Sequence, residues 1–134
     1  VEGPIAGGTE TILLAEDDQM VRGLAKSILE RAGYTVLAVE DGEEALACFK
    51  QEPDAIGLLL FDVVMPGMGG REAYEEISKT RPGIPVLFTS GYSENAIHTN
   101  FVLDEGLALL PKPFAREALL RTVRKTIDRA NRTE

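Results

Sequence analysis

Short apolar runs and amphipathic stretches alternate along this chain. Thr11–Ala15 is a brief apolar run and predicts a buried strand. From Gln19 to Ala32, apolar residues fall at 21, 24, 25, 28 and 29, which is helical spacing. Asp18 stands where an N-cap belongs, and Gly33 where a helix-ending glycine belongs. Tyr34–Val39 is β-branched and apolar, a second strand, and Gly42–Gln51 is a short helix with Ala45, Leu46 and Phe49 inward. Ile56–Phe61 is apolar without a break, as expected of a central strand covered on both faces. Gly69–Thr80 predicts a helix, Ile84–Thr89 a strand, Glu94–Asp104 a weaker helix and Leu107–Leu110 a short strand. Arg116–Arg129 closes the series as a helix with Leu119, Leu120, Val123 and Ile127 on one face. Five β/α units in succession predict a parallel sheet with helices on both faces and right-handed crossovers.

Composition narrows the class without naming a function. The chain has 134 residues and a formal net charge of −8, enough for one domain with one core. The acidic balance argues against nucleic acid as a direct partner. One cysteine allows no intrachain disulfide, and no apolar run approaches the roughly 20 residues that span a bilayer. We therefore expect a cytoplasmic location without direct membrane contact. The stretch 1–10 is rich in glycine and aperiodic, and reads as a linker. Residues 11–131 form the domain and 132–134 a tail. The chain starts with Val1 instead of Met, which reads as a piece of a longer polypeptide.

Ligands of such sheets bind at the carboxyl ends of the strands. The first strand leads into Glu16-Asp17-Asp18, the third into Asp62, the fourth into Thr89-Ser90 and the fifth into Pro111-Lys112-Pro113. Acids, hydroxyls and a lysine thus come from four strand ends to one rim. Clustered carboxylates repel, and a hard divalent cation such as Mg²⁺ relieves that repulsion through oxygen ligands. Such an ion also templates a phosphoryl group, and a lysine holds another of its oxygens. A remaining carboxylate, Asp62, is then a nucleophile able to form an acyl phosphate.

These residues resemble those of the receiver domain of two-component response regulators. The resemblance rests on Ile12-Leu-Leu-Ala-Glu-Asp17, Asp62-Val-Val-Met-Pro66 with Gly70, Pro85-Val-Leu-Phe-Thr-Ser90-Gly91 and Lys112-Pro-Phe114, and covers about residues 11 to 130. It implies a flavodoxin-like, CheY-like fold with strand order 2-1-3-4-5. It also implies Mg²⁺-dependent transfer of phosphate from a histidine of a kinase or phosphotransfer module to Asp62. By the same resemblance, Asp17, Glu16, Asp62 and the backbone carbonyl of Val64 hold Mg²⁺. Lys112 pairs with the phosphoryl group, Ser90 is the switch hydroxyl, and the Lys112–Pro113 peptide is cis. The resemblance implies a signalling module that phosphorylates and dephosphorylates itself, as a stand-alone chain or as part of a histidine kinase polypeptide. The start of the chain and Thr89-Ser-Gly-Tyr-Ser93 resemble receivers at the end of hybrid sensor kinases, which would tether it to a membrane-bound protein.

The chain departs from the family pattern at some positions. The switch position that often holds an aromatic is Leu109, which cannot stack or bond through a polar tip. Gly69 stands where many members have Asp. No Lys or Arg lies between Ser93 and Leu110, which argues against the charge-ladder dimer of one transcription-factor subgroup and leaves at most a weak homodimer. His98 reads as an exposed polar position and Cys48 as a packing residue. Asp18 is assigned to capping. Met20, off the apolar line of its helix, is expected to help dock the phosphodonor. Two rival functions are a degenerate receiver that acts without phosphate and a haloacid-dehalogenase-like phosphatase. The first would be expected to lack Asp17, Asp62 or Lys112, and none is missing. The second needs an acid two residues after the nucleophile, where this chain has Val64.

Overall fold

The computed structural model describes residues 5–91, 100–102 and 104–132. In chain order the elements are β1 (Thr11–Ala15), α1 (Gln19–Arg31), β2 (Thr35–Val39), α2 (Gly42–Gln51) and β3 (Ile56–Asp62). They continue with α3 (Gly70–Thr80), β4 (Val86–Ser90), β5 (Ala108–Pro111) and α4 (Arg116–Asn131). Helical backbone is also present at 100–102 and 104. The remainder of the helix predicted over 94–104, with His98 and Tyr92, lies outside the described residues. The five strands form one parallel sheet in the order β2-β1-β3-β4-β5, as expected.

Alternation along the strands divides the interior into two cores. Ile12 and Leu14 of β1, Leu58 and Leu60 of β3 and Leu87 of β4 face α1 and α4, meeting Ala25, Ile28, Leu29, Leu119, Leu120, Val123 and Ile127. Leu13, Ala15, Leu59, Phe61, Val86 and Phe88 point the other way, onto Ala45, Phe49, Ala73, Ile77, Phe101 and Val102. The unbroken apolar run of β3 is therefore a consequence of burial on both faces.

Local chemistry sets the helix ends. The Asp18 carboxylate accepts hydrogen bonds from the Met20 and Val21 amides at 2.9 and 3.1 Å, capping α1 as predicted. At its other end Gly33 takes a φ of 105°, which a side chain would resist. Gly33 N–H bonds Glu30 O and Tyr34 N–H bonds Leu29 O, so the last carbonyls are satisfied and the chain turns into β2.

Two readings change. Leu24 belongs to the apolar series of α1 but is 57% exposed, because the helix rolls its 20/24 edge away from the sheet. The stretch read as a linker has no regular secondary structure over 7–10, yet it is held. Gly8 N–H bonds Ala32 O, and Arg124 bonds Gly7 O and both oxygens of Glu10.

Candidate functional site

The site is built where three strands end. Glu16 follows β1, Asp62 is the last residue of β3 and Lys112 follows β5. Glu16 and Asp62 are 3% and 2% exposed, the buried charged groups among the described residues. Burying a charge costs several kcal/mol unless it is paired, and the pairing here is direct. Lys112 Nζ lies 2.9 Å from Asp62 Oδ2 and 3.0 Å from Glu16 Oε1. The second Asp62 oxygen accepts from Val64 N–H at 3.2 Å. The second Glu16 oxygen accepts from Asp18 N–H at 3.0 Å.

Electrostatics follow from this geometry. Burial pushes the Glu16 carboxyl above its ordinary value, and the neighbouring Asp62 charge adds to it, against the Asp18 amide and Lys112. Burial alone would lower the Lys112 ammonium, but its bonds to Asp62 and Glu16 outweigh that and hold it above the ordinary range. Lys112 therefore stays charged at any physiological pH.

Asp17 completes the group. Carboxylate oxygens of Glu16, Asp17 and Asp62 lie within 4.8 Å of one another, with Asp17 the exposed member. Three acids against one lysine leave an excess of negative charge facing solvent. The donors are all oxygen, which suits a hard divalent cation such as Mg²⁺ and not a soft metal. These residues fit the ion that the motif pattern implies.

The remaining positions fall into place around this centre. Ser90 ends β4, and its carbonyl accepts from Lys112 N–H. Ser90, Gly91, Pro111, Lys112 and Pro113 line a cavity of about 380 Å³ beside the lysine. The Lys112–Pro113 peptide is cis. Val64 is exposed on the loop that follows Asp62. Gly70 abuts that loop, since a Cβ on it would stand 2.2 Å from the Asp62 carbonyl oxygen. Leu109 is partly buried and packs against the core that holds Phe61, Phe88 and Phe101. Met20 is 84% exposed one turn before Leu24, and with Val64 they are the large apolar side chains left in solvent among the described residues. Cys48 packs against the core, and burial raises its thiol, so it stays protonated.

One contributor escaped the sequence reading. Arg22, in the first turn of α1, donates to the carbonyl oxygens of Glu16 and Asp17 at 2.8 and 3.4 Å. It pins the acidic corner through backbone groups. Only its place on the first turn after the acidic run could have hinted at this.

Fold and site together define a small α/β module with an acidic rim at the carboxyl ends of its strands. The family model for the response regulator receiver domain matches residues 12–124, and the chain belongs to that family: it is a phosphoacceptor module of two-component signalling. Sensor kinase CckA of Brucella abortus (strain 2308) is 37% identical over 122 residues, 91% of this chain and 13% of that protein. Response regulator receiver protein CpdR of the same organism is 33% identical over 116 residues, 87% of this chain and 95% of CpdR. Among solved structures, a CheY-like response regulator receiver domain protein from Methanospirillum hungatei JF-1 superposes with a TM-score of 0.82 at 31% identity, covering 95% of this chain and 100% of that one. The chain spans 13% of the sensor kinase, and 45% of the transcriptional regulatory protein YrkP of Bacillus subtilis, to which it is 36% identical. No helix among the described residues is long and apolar enough to cross a membrane.

Proposed function

We propose that Asp62 is the phosphoacceptor, taking its phosphoryl group from a histidine of a kinase or phosphotransfer module. The observation that carries this reading is the contact of Lys112 with Asp62 beside two further carboxylates on one rim. Glu16, Asp17, Asp62 and the Val64 carbonyl would hold Mg²⁺, whose charge offsets that of the phosphoryl oxygens. One Asp62 oxygen attacks phosphorus. The N–P bond breaks and leaves its electron pair on the donor imidazole, which is neutral once its other nitrogen carries a proton. An acyl phosphate on Asp62 results. Lys112, already within hydrogen-bond distance of Asp62, meets a phosphoryl oxygen after a small displacement, and the Ser90 hydroxyl donates to another. Glu16 accepts from Lys112 throughout, so the lysine stays aimed at the rim.

Met20 and Leu24 form an apolar patch beside the acidic corner, which suits docking of an apolar helix face of the donor. The likeness to the sensor kinase CckA supports an origin as the receiver of a hybrid kinase, and a cytoplasmic location accords with that. Phosphoramidate or acetyl phosphate with Mg²⁺ should label wild-type protein at one site. Asp62→Asn should remove the label and EDTA should suppress it. A label that survives either change overturns the assignment.

A further inference from the structure

Leu109 stands opposite Phe88 in the β4–β5 register and offers neither a π face nor a polar tip. The aromatic groups of this region lie elsewhere. Phe88, two residues before Ser90 on the same side of β4, meets two rings edge-on. Tyr74 of α3 lies at 5.7 Å and 89°, and Phe101 at 5.1 Å and 80°. The Arg71 guanidinium sits 4.8 Å from the centre of the Phe101 ring. Arg71 and Tyr74 are three residues apart on one face of α3, so that face grips Phe101 and Phe88 together.

The same helix starts against the acceptor. Gly70 N–H bonds Val63 O at 3.1 Å, and Gly70 has no room for a Cβ beside the Asp62 carbonyl. Arg71 follows directly and, with Val63, Val64 and Met65, walls a hollow of about 250 Å³ beneath the loop. A closed path of packed groups therefore runs from the Asp62 loop through Gly70 and Arg71 to Phe101, then through Phe88 to the Ser90 strand.

We propose that Phe101, clamped by Arg71, couples the Asp62 loop to the Ser90 strand in this chain, at a helix position and not at position 109. Arg71 and Phe101 are positioning residues: neither touches the reacting atoms. Displacement of either end of the path changes the Arg71–Phe101 stack, and the stack in turn biases occupancy of the pocket, since coupling is reciprocal. The contact is half-exposed on the Arg71 side, which sets the coupling at about two- to five-fold in ligand affinity. The inference rests on Asp62 as acceptor and adds the route by which its occupancy is sensed.

The test uses the full chain labelled with 4-fluorophenylalanine, titrated with beryllofluoride and Mg²⁺ and followed by ¹⁹F NMR. The Phe101 signal is identified by its loss in Phe101→Leu. It should shift as the signals of bound beryllofluoride grow. Beryllofluoride affinities of Arg71→Met, Phe101→Leu and the double variant should depart from additivity by the same two- to five-fold. Arg71→Lys, which keeps the cation, should recover part of the wild-type response. If Phe101→Leu does not fold, the Phe101 signal is identified instead by its loss in Phe101→Tyr, and the Arg71→Met and Arg71→Lys pair, read on that signal against wild type, still decides. An unmoved Phe101 signal at saturation, or additive affinities alongside lowered melting temperatures, overturns the proposal and leaves the stack as packing. Absence of any bound beryllofluoride in wild type overturns the Asp62 reading itself, and this inference with it.

Discussion

Two ionic networks sit at opposite ends of the sheet, and they are built to different balances. At the carboxyl ends of the strands, Lys112 bridges Glu16 and Asp62 with Asp17 close by, so negative charge is left over. Beyond the amino end of β1, Arg124 takes both oxygens of Glu10, one oxygen of Asp128, the Gly7 carbonyl and the Tyr34 hydroxyl. The first network is nearly dry and undercompensated. The second has a cation forked between two acids and lies partly in solvent. The excess is larger and more deeply buried in the first, which suits a divalent ion, whereas water offsets the smaller excess of the second, which ties chain segments together. On the proposed function, similar residue types serve as a reactive centre in one place and as a clasp in the other.

Breaking each network should separate these roles. Lys112→Met leaves two buried carboxylates facing each other without their cation. Loss of one partner of a buried pair costs about 3–5 kcal/mol, so chemical denaturation should show a large loss that Mg²⁺ partly restores. A stability loss indifferent to Mg²⁺ would argue against an ion site among these acids. Arg124→Met should cost about 1–2 kcal/mol, because its partners are partly solvated and exposed pairs contribute little. Phosphorylation by acetyl phosphate should stay within two-fold of wild type in that variant. A loss of labelling there would mean that the two ends are not independent.

The apolar patch gives a subtler contrast. Met20→Glu should slow transfer from the cognate kinase about ten-fold, on the scale of a lost interface contact, while labelling by acetyl phosphate is unchanged. Equal rates from the kinase would remove Met20 from the docking surface.

The smallest effect concerns pH. The hydrogen bond from Arg124 holds the Glu10 carboxyl below its ordinary value of 4.5. A lowered native value means that the stabilisation is complete above the unfolded value and fades as pH falls through the native one. Glu10→Gln should therefore lose less stability than wild type on acidification below about pH 4.5. Parallel acid curves for the two proteins would show that the clasp adds nothing.

Much of this was legible in the residue pattern. Period-two and period-3.6 spacing placed every described element within a residue or two, and the strand order followed from the resemblance. Asp18 was recognisable as a cap because its partners are local amides. Asp62, Glu16 and Lys112 were recognisable as a group because parallel strands deliver their carboxyl ends to one rim. Their pairing was not: Lys112 and Glu16 are 96 residues apart, and spacing says nothing about which oxygen a lysine meets. Leu24 looked internal because helical spacing defines a face but not how far the neighbouring strand extends beneath it. Residues 7–10 looked like a linker because their anchoring comes from Arg124, more than a hundred residues away. Arg22 escaped because its partners are carbonyl groups, which no side-chain pattern reveals.

On the proposed function, Asp62 alone carries the phosphoryl group. Protein treated with phosphoramidate and Mg²⁺ can be reduced with borohydride, which converts an aspartyl phosphate to homoserine, and then mapped by peptide mass spectrometry. Homoserine at position 62 and at no other acid is the expected result. Homoserine at Asp17 or Asp18, or none anywhere in a sample that has gained phosphate, would contradict it.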